Sequence, residues 1–173
     1  TPEPTSSLLP APCTPCASFK ILYLFSGKRR KTDLKSVLWE EGLNHSLEMN
    51  VTEFDIINDP SQDLLDDGVW ETIQQDIKNR VYDLIVVSPP CATYSRATYR
   101  PKDGPRPMIS QIFPWGFPWI AGVRRRKLEQ HNTLIRRSLK ACDLAHDVGV
   151  PLHLEPAEDL VKTREQWAAT VLQ

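Results

Sequence analysis

Residues Tyr82–Arg96 read Tyr-Asp-Leu-Ile-Val-Val-Ser-Pro-Pro-Cys-Ala-Thr-Tyr-Ser-Arg. The first half is a short run of β-branched apolar residues, which is typical of a buried strand over Tyr82–Val87. A rigid Pro-Pro elbow follows the strand and presents one cysteine, Cys91, immediately past its end. The pattern therefore makes Cys91 the first candidate for a reactive group.

Strands and helices alternate on both sides of this stretch. Compact or alternating apolar runs predict three more strands, over Lys20–Phe25, Ser46–Phe54 and Pro151–Glu155. Helical spacing of apolar residues predicts helices over Asp33–Glu41, with Gly42 as its stop, over Val69–Asn79 and over Leu128–Val148, and a further one over Leu160–Leu172. This order predicts an α/β fold with a doubly wound, mainly parallel sheet, incomplete at about five strands.

The length of 173 residues fits one well-buried core. Residues 1–18 are rich in Pro, Ser and Thr and predict a disordered leader or a linker, so the α/β domain is assigned to 19–173. Ala97–Lys127 has no period and concentrates proline and aromatic residues, which predicts a functional or disordered loop. No apolar run approaches membrane-spanning length. The absence of an apolar targeting region at the start predicts an intracellular protein, nuclear or cytoplasmic.

The net charge of −1 conceals an uneven distribution. Acids dominate from Glu48 to Asp83, whereas bases dominate from Arg100 to Lys140. The basic half is either a surface for a polyanion or an ordinary solvated face. Cys13 and Cys16 form a close pair, but no second pair or histidine stands at zinc-site spacing, so no metal site is predicted.

Four predicted strand ends carry groups that suit chemistry. In doubly wound sheets ligands bind beyond the carboxyl ends of the strands. The residues at those ends are Ser26-Gly27, Asp55, Ser88–Cys91 and Glu155. In order and spacing, from about Lys20 to Leu160, this constellation resembles the cytosine-C5 DNA methyltransferases, a family with the Rossmann-like fold of class I S-adenosylmethionine-dependent methyltransferases.

The resemblance implies a role for each matching residue. Phe25, Ser26 and Gly27 would approach the methionine part of S-adenosylmethionine, Asp55 its ribose and Asp63 its adenine, with Ser88 and Pro89 also beside the cofactor. Cys91 would be the nucleophile and Glu155 the acid that holds the target cytosine. Nucleic acid, DNA rather than RNA, would lie along Ser95 and Arg96, and the charge distribution adds the basic run Arg124, Arg125 and Arg126 to that surface.

The chemistry of cytosine explains why these residue types are needed. Carbon 5 is a weak nucleophile, so a thiolate first adds to carbon 6 and forms a covalent intermediate that accepts the methyl group. A carboxyl group at N3 supports the addition. The base must leave the duplex to reach either group.

The sequence also departs from the family pattern and leaves alternatives open. Lys28–Lys31 replaces the usual second glycine, and Pro156 follows Glu155 where the family has Asn. The later Arg-containing motif and a recognition domain are absent, which indicates a fragment or a reduced, inactive relative. One alternative is an amino-methyltransferase, which Ser88-Pro89-Pro90 would suit. Another is a non-catalytic domain that binds nucleic acid or serves as a scaffold.

Overall fold

A computed structural model describes residues 17–94, 96–99 and 106–154. Its strands and helices alternate along the chain. The elements are β1 (Ala17–Leu24), α1 (Leu34–Asn44), β2 (Leu47–Phe54), α2 (Asp67–Lys78), β3 (Leu84–Val87), α3 (Gly122–Val148) and β4 (Leu152–Leu154), with short 3₁₀ turns at Pro60–Gln62 and Arg96–Tyr99. The predicted α/β class is confirmed.

The four described strands form one parallel sheet in the order β2-β1-β3-β4. The central strands β1 and β3 are paired so that Leu24 stands opposite Val87. All connections between parallel strands must cross over the sheet, and here helices make those crossings. The predicted strands at these four places are confirmed, with bounds that differ by a few residues at their ends.

The helices cover both faces of the sheet. On one face α1 packs against alternate strand residues, with Leu34 and Leu38 against Ile21 and Val86. On the other face α2 and α3 share the larger core, whose buried side chains include Leu22, Leu24, Trp70, Ile73, Ile77, Ile85, Val87, Ala141, Leu144 and Ala145. None of the described helices has both the length and the apolar character needed to cross a lipid bilayer.

The starts of two elements differ from the prediction, because polar residues interrupt the apolar pattern there. The third helix begins at Gly122, six residues before the predicted start at Leu128, since its first turns are exposed and carry no apolar period. The first strand begins at Ala17 and so includes the last two residues of the predicted leader, while residues 1–16 lie outside the described part. Gly149 ends the third helix as predicted, with a left-handed φ of 70°.

Gly42 does not end the first helix, which continues to Asn44. It is instead the buried helix residue that lies against the neighbouring strand. A Cβ atom at this position would lie 2.6 Å from Met49 Cγ and 2.7 Å from the Leu47 carbonyl oxygen. Glycine is therefore required here for close packing of α1 on β2 and not for a turn.

Gly42→Ala should lower the free energy of unfolding by about 1–3 kcal/mol, because the added methyl overpacks the contact between α1 and β2. The sign of this change is diagnostic, because a glycine-to-alanine substitution in a helix interior ordinarily raises the free energy of unfolding by about 1 kcal/mol. Urea unfolding followed by circular dichroism measures the change. Gly68→Ala, at the exposed start of α2, is the control and should shift stability by less than about 0.5 kcal/mol. A more stable Gly42→Ala protein would contradict this packing role.

Candidate active site

The loops after β1 and β3 leave the same edge of the sheet side by side. Because β2 and β4 lie on opposite sides of this central pair, the strand order reverses between β1 and β3, and such a switch point is where open α/β sheets bind ligands. The Ser88 amide donates to the Leu24 carbonyl at 3.1 Å. This geometry brings together five predicted cofactor residues, namely Phe25, Ser26, Gly27, Ser88 and Pro89.

The β1 loop has an unusual backbone at its start. Phe25 has φ of 62°, a region that side chains rarely adopt, and Gly27 has φ of 72°. Asn58 holds the loop from the side, since its Nδ2 donates to the Gly27 carbonyl at 2.8 Å and to Ser26 Oγ at 3.2 Å. Apart from its own chain neighbours, no described residue has an atom within 4 Å of a Cβ built on Gly27, so among the described residues one side of the loop is open.

Asp55 connects the loops that follow β1 and β2. Its Oδ2 accepts from the Gly27 amide and its Oδ1 from the Ile57 amide, both at 2.8 Å. The residue is only 7% exposed. Both carboxylate oxygens of the predicted ribose-binding acid therefore already accept backbone hydrogen bonds.

Asp63, the predicted adenine-binding acid, lies in the loop before α2. It is half-buried, and its Oδ1 accepts from the Leu65 amide at 2.8 Å. The side chain thus shapes its own turn. Its proposed contact with adenine stays a prediction.

The basic loop Lys28–Lys31 is joined to the sheet by one of its arginines. Arg29 Nη2 lies 2.5 Å from Glu53 Oε2, and Lys35 Nζ lies 3.3 Å from the same oxygen. Glu53 is 8% exposed. The sequence interpretation missed this acid, although Glu53 follows Met49 and Val51 in the two-residue period that faces α1.

Cys91 lies where the sequence placed it, just beyond β3, and it is an exposed free cysteine. Pro89 is buried, whereas Ser88 and Pro90 are half-buried. The Tyr94 amide donates to the Cys91 carbonyl at 2.9 Å and closes a turn. The thiol is therefore accessible at the end of a backbone segment that is itself fixed.

Helix α3 holds Thr93 and Tyr94, two and three residues beyond Cys91. Thr93 Oγ1 hydrogen-bonds His131 Nδ1, and the Tyr94 hydroxyl donates to Asn132 Oδ1. Asn132 Nδ2 in turn donates to the Trp115 carbonyl at 2.9 Å. Burial raises the pKa of Tyr94, which keeps its hydroxyl protonated as a donor.

His131 and Asn132 were not among the predicted site residues. A signal for Asn132 exists, because it stands four residues after Leu128 and three before Ile135 on the buried face of α3. A buried amide on an apolar helix face requires a hydrogen-bond partner. The sequence gives no comparable signal that His131 pairs with Thr93.

The stability of the protein should depend on pH through His131. Burial, and to a smaller extent the charge of Lys127, lower the pKa of His131 from 6.5. Above pH 6.5 both the folded and the unfolded chain keep the imidazole neutral. As the pH falls below that value, the unfolded chain takes up the proton first, so stability is lost until the folded pKa is passed.

His131→Gln should therefore lose less stability than the parent protein as the pH falls below 6.5. Urea unfolding at a series of pH values measures the difference. His153→Gln, which replaces an exposed histidine on β4, is the control for the loss of an imidazole elsewhere in the fold. If the free energy of unfolding changed with pH equally in His131→Gln and the parent, His131 would not contribute to the pH dependence of stability.

The remaining predicted contacts fall partly outside the described residues. Ser95 and Glu155 are outside them, and for Arg96 only the backbone is described. The arginine run lies in the first turn of α3, where Arg124 Nη2 donates to the Arg106 carbonyl at 3.1 Å. Arg125 pairs with Glu129 at 2.7 Å, and Arg126 is exposed.

Comparison of the chain with protein-family models, with curated proteins and with solved structures gave no match. The candidate site comprises an exposed thiol on a fixed turn and an adjacent open loop at the switch point of a parallel sheet.

Proposed function

We propose that this chain is a methyltransferase-like domain that uses S-adenosylmethionine and acts on carbon 5 of cytosine in nucleic acid, with DNA favoured over RNA. One observation carries the proposal. The exposed Cys91 lies just past the carboxyl end of the central strand β3, whose neighbour in the sheet, β1, leads into the loop that contains Gly27. Ligands of α/β proteins bind in this crevice.

The chain's own groups would perform the covalent step. The Cys91 thiolate forms a bond to carbon 6 of cytosine, and the electron pair of the 5,6 double bond makes carbon 5 nucleophilic. S-adenosylmethionine, when bound, supplies an electrophilic methyl group. Loss of the proton from carbon 5 then restores the double bond as the bond between sulfur and carbon 6 breaks and releases Cys91.

The residues that would hold the cofactor fit it at the β1 loop. No described residue fills the space where a Cβ of Gly27 would point, and Ser26 is half-buried beside it. Asp63 has a second oxygen that accepts no hydrogen bond from the residues the structure describes. A ribose at Asp55 would have to share that carboxylate with the Gly27 and Ile57 amides.

A trapping experiment tests the proposal directly. The protein is incubated with S-adenosylmethionine and DNA that contains 5-fluorocytosine. Fluorine replaces the proton that must leave carbon 5, so the bond to the thiol persists. The expected product is a denaturation-resistant adduct whose mass includes protein, DNA and one methyl group. No adduct, together with no binding of S-adenosylmethionine at millimolar concentration in calorimetry, would contradict the proposal.

A second candidate function is non-catalytic nucleic-acid binding by a domain derived from a methyltransferase. The contacts of the basic loop favour it, because the ion pair between Arg29 and Glu53 holds cationic residues beside the crevice. The Asp55 hydrogen bonds favour it too, since both carboxylate oxygens already accept backbone amides. Binding of nucleic acid without binding of S-adenosylmethionine would select this candidate.

A further inference from the structure

An exposed aromatic cluster lies in the segment between β3 and α3. We call it the aromatic ledge and define it as Phe113, Phe117 and Trp119. The rings of Phe117 and Trp119 are stacked, with centroids 4.8 Å apart and an interplanar angle of 10°. Phe113 meets both rings edge-on at 5.9 and 5.8 Å. Trp119 is nonetheless 70% exposed, so the ledge presents a large free aromatic face.

The ledge is held in place by backbone hydrogen bonds and packing. The Phe117 amide donates to the Met108 carbonyl at 2.9 Å, and the Ser110 amide donates to the Phe113 carbonyl at 3.1 Å. Gly116 has φ of 124°, and a Cβ there would overlap the buried Leu128 side chain. The aromatic face is therefore preorganised, which reduces the entropy lost when a ligand stacks on it.

The ledge and the turn Cys91–Tyr94, called the Cys91 turn, both pack on α3. Trp115, between Phe113 and Phe117, packs with Tyr94 against α3. Its carbonyl accepts from Asn132, which also accepts from the Tyr94 hydroxyl. The guanidinium of Arg136 lies 4.3 Å from the centroid of the Trp115 ring. The segment that carries the ledge and the turn that follows Cys91 therefore both pack on the same helix.

The charge beside the ledge is strongly positive. Arg124–Lys127, which we call the basic turn, follows Trp119 closely in the chain and is exposed. The first turn of α3 contains no acid and has no side-chain cap, so the positive end of the helix dipole adds to these charges. Arg124 donates to the Arg106 and Pro107 carbonyls and so attaches the turn to the ledge loop. Such a surface is complementary to phosphate groups.

We propose that the aromatic ledge stacks unpaired bases of a single-stranded nucleic acid whose phosphates lie along the basic turn. Aromatic faces beside a cationic track are how proteins bind single strands without sequence preference. A duplex cannot use the ledge in this way, because its base faces are already covered by neighbouring base pairs. The inference rests on the proposed function only in taking nucleic acid as the substrate, and it needs no methyl transfer.

Fluorescence anisotropy with a labelled single-stranded DNA of mixed sequence and the matching duplex tests the stacking. The parent protein should bind the single strand more tightly. Trp119→Ala should weaken that binding by between about fivefold and about 150-fold, as expected for loss of one base stack. Trp119→Phe should retain most of the affinity, whereas Trp119→Leu, apolar but not aromatic, should resemble the alanine variant. Trp39→Ala, which removes a 59% exposed tryptophan on α1, is the matched control and should bind like the parent.

The basic turn is tested through the salt dependence of the same binding. Arg126→Ala should reduce the slope of log affinity against log salt by roughly 0.7, the value for one phosphate contact on a single strand. Lys78→Ala removes an exposed cation at the far end of α2 and should leave the slope unchanged. An unchanged slope for Arg126→Ala would remove the basic turn from the proposal.

Three outcomes would overturn the inference. One is equal binding of single strand and duplex with no effect of Trp119→Ala, which would mean electrostatic attraction alone. Another is a Trp119-dependent dimer in sedimentation, which would assign the ledge to a second copy of the chain. The third is Trp119-dependent binding of an acidic peptide in preference to DNA. Thermal melting confirms that each variant is folded before binding is measured.

The two proposals fail in distinguishable ways. Trp119-dependent binding of the single strand without cofactor binding or adduct would remove the methyltransferase proposal and leave the ledge proposal standing. Suppose instead that the parent and Trp119→Ala form the adduct with 5-fluorocytosine DNA equally well at DNA concentrations below saturation. That result would remove the ledge proposal and leave the methyltransferase proposal standing.

Discussion

Cys91→Ser should eliminate both methyl transfer and the covalent adduct with 5-fluorocytosine DNA. We expect the rate to fall by on the order of a thousandfold or more, as when an enzyme loses its nucleophile. The physical reason is that a serine hydroxyl is far less ionised than a thiol and is a weaker nucleophile at neutral pH. Transfer of labelled methyl groups to DNA and denaturing electrophoresis of the adduct measure the two effects.

The control for this variant is the other cysteine in the described residues. Cys142 lies on α3 itself, where it is partly buried against the core, so Cys142→Ala should retain the adduct. If Cys91→Ser kept full turnover, the product would identify the alternative chemistry. Methylation of an exocyclic amine would assign the Ser88-Pro89-Pro90 segment to an amino-methyltransferase and would contradict the thiol mechanism.

Asp55→Asn should lower the free energy of unfolding by about 1.5–3 kcal/mol. Both oxygens of the buried carboxylate accept backbone amides, from Gly27 and from Ile57. An amide side chain can accept only one of these bonds and must turn its NH₂ group towards the other donor. The variant therefore loses a charge-assisted hydrogen bond and leaves one buried donor unsatisfied.

Urea unfolding, with cofactor calorimetry beside it, separates the two roles of Asp55. Asp63→Asn is the matched control, because that carboxylate accepts one backbone amide in a less buried setting, and its loss of stability should be smaller. An Asp55→Asn protein with parent stability but without cofactor affinity would show that the carboxylate acts on a ligand. That result would contradict its structural role between the two loops.

Much of the fold could be predicted because local patterns and tertiary structure agree in it. The apolar run before Ser88 becomes β3, and Gly149 ends α3 through a left-handed φ. Gly42 shows where local rules fail. Its place after a helical run predicted a helix stop. Its role is set instead by a tertiary contact with β2, which local helix propensity does not reveal.

The candidate site could be predicted only where a reactive or ligand-binding residue comes directly after a strand in the sequence. Cys91 and Gly27 were found in this way, since the ends of parallel strands meet at one edge. The partners of Thr93 and Tyr94 are 38 residues away along the chain, and no sequence period connects them. The ion pair between Arg29 and Glu53 depends likewise on how α1 and the β1 loop pack on β2.

The shared use of α3 has a consequence for how this protein can change. One continuous helix carries the basic turn at its start and, a few residues later, the hydrogen-bond partners of the Cys91 turn. Each residue inserted between Lys127 and His131 would rotate the two parts relative to each other by about 100°. Substitutions can therefore tune either part separately, whereas insertions or deletions in this interval would misalign the phosphate track and the thiol while leaving each part intact.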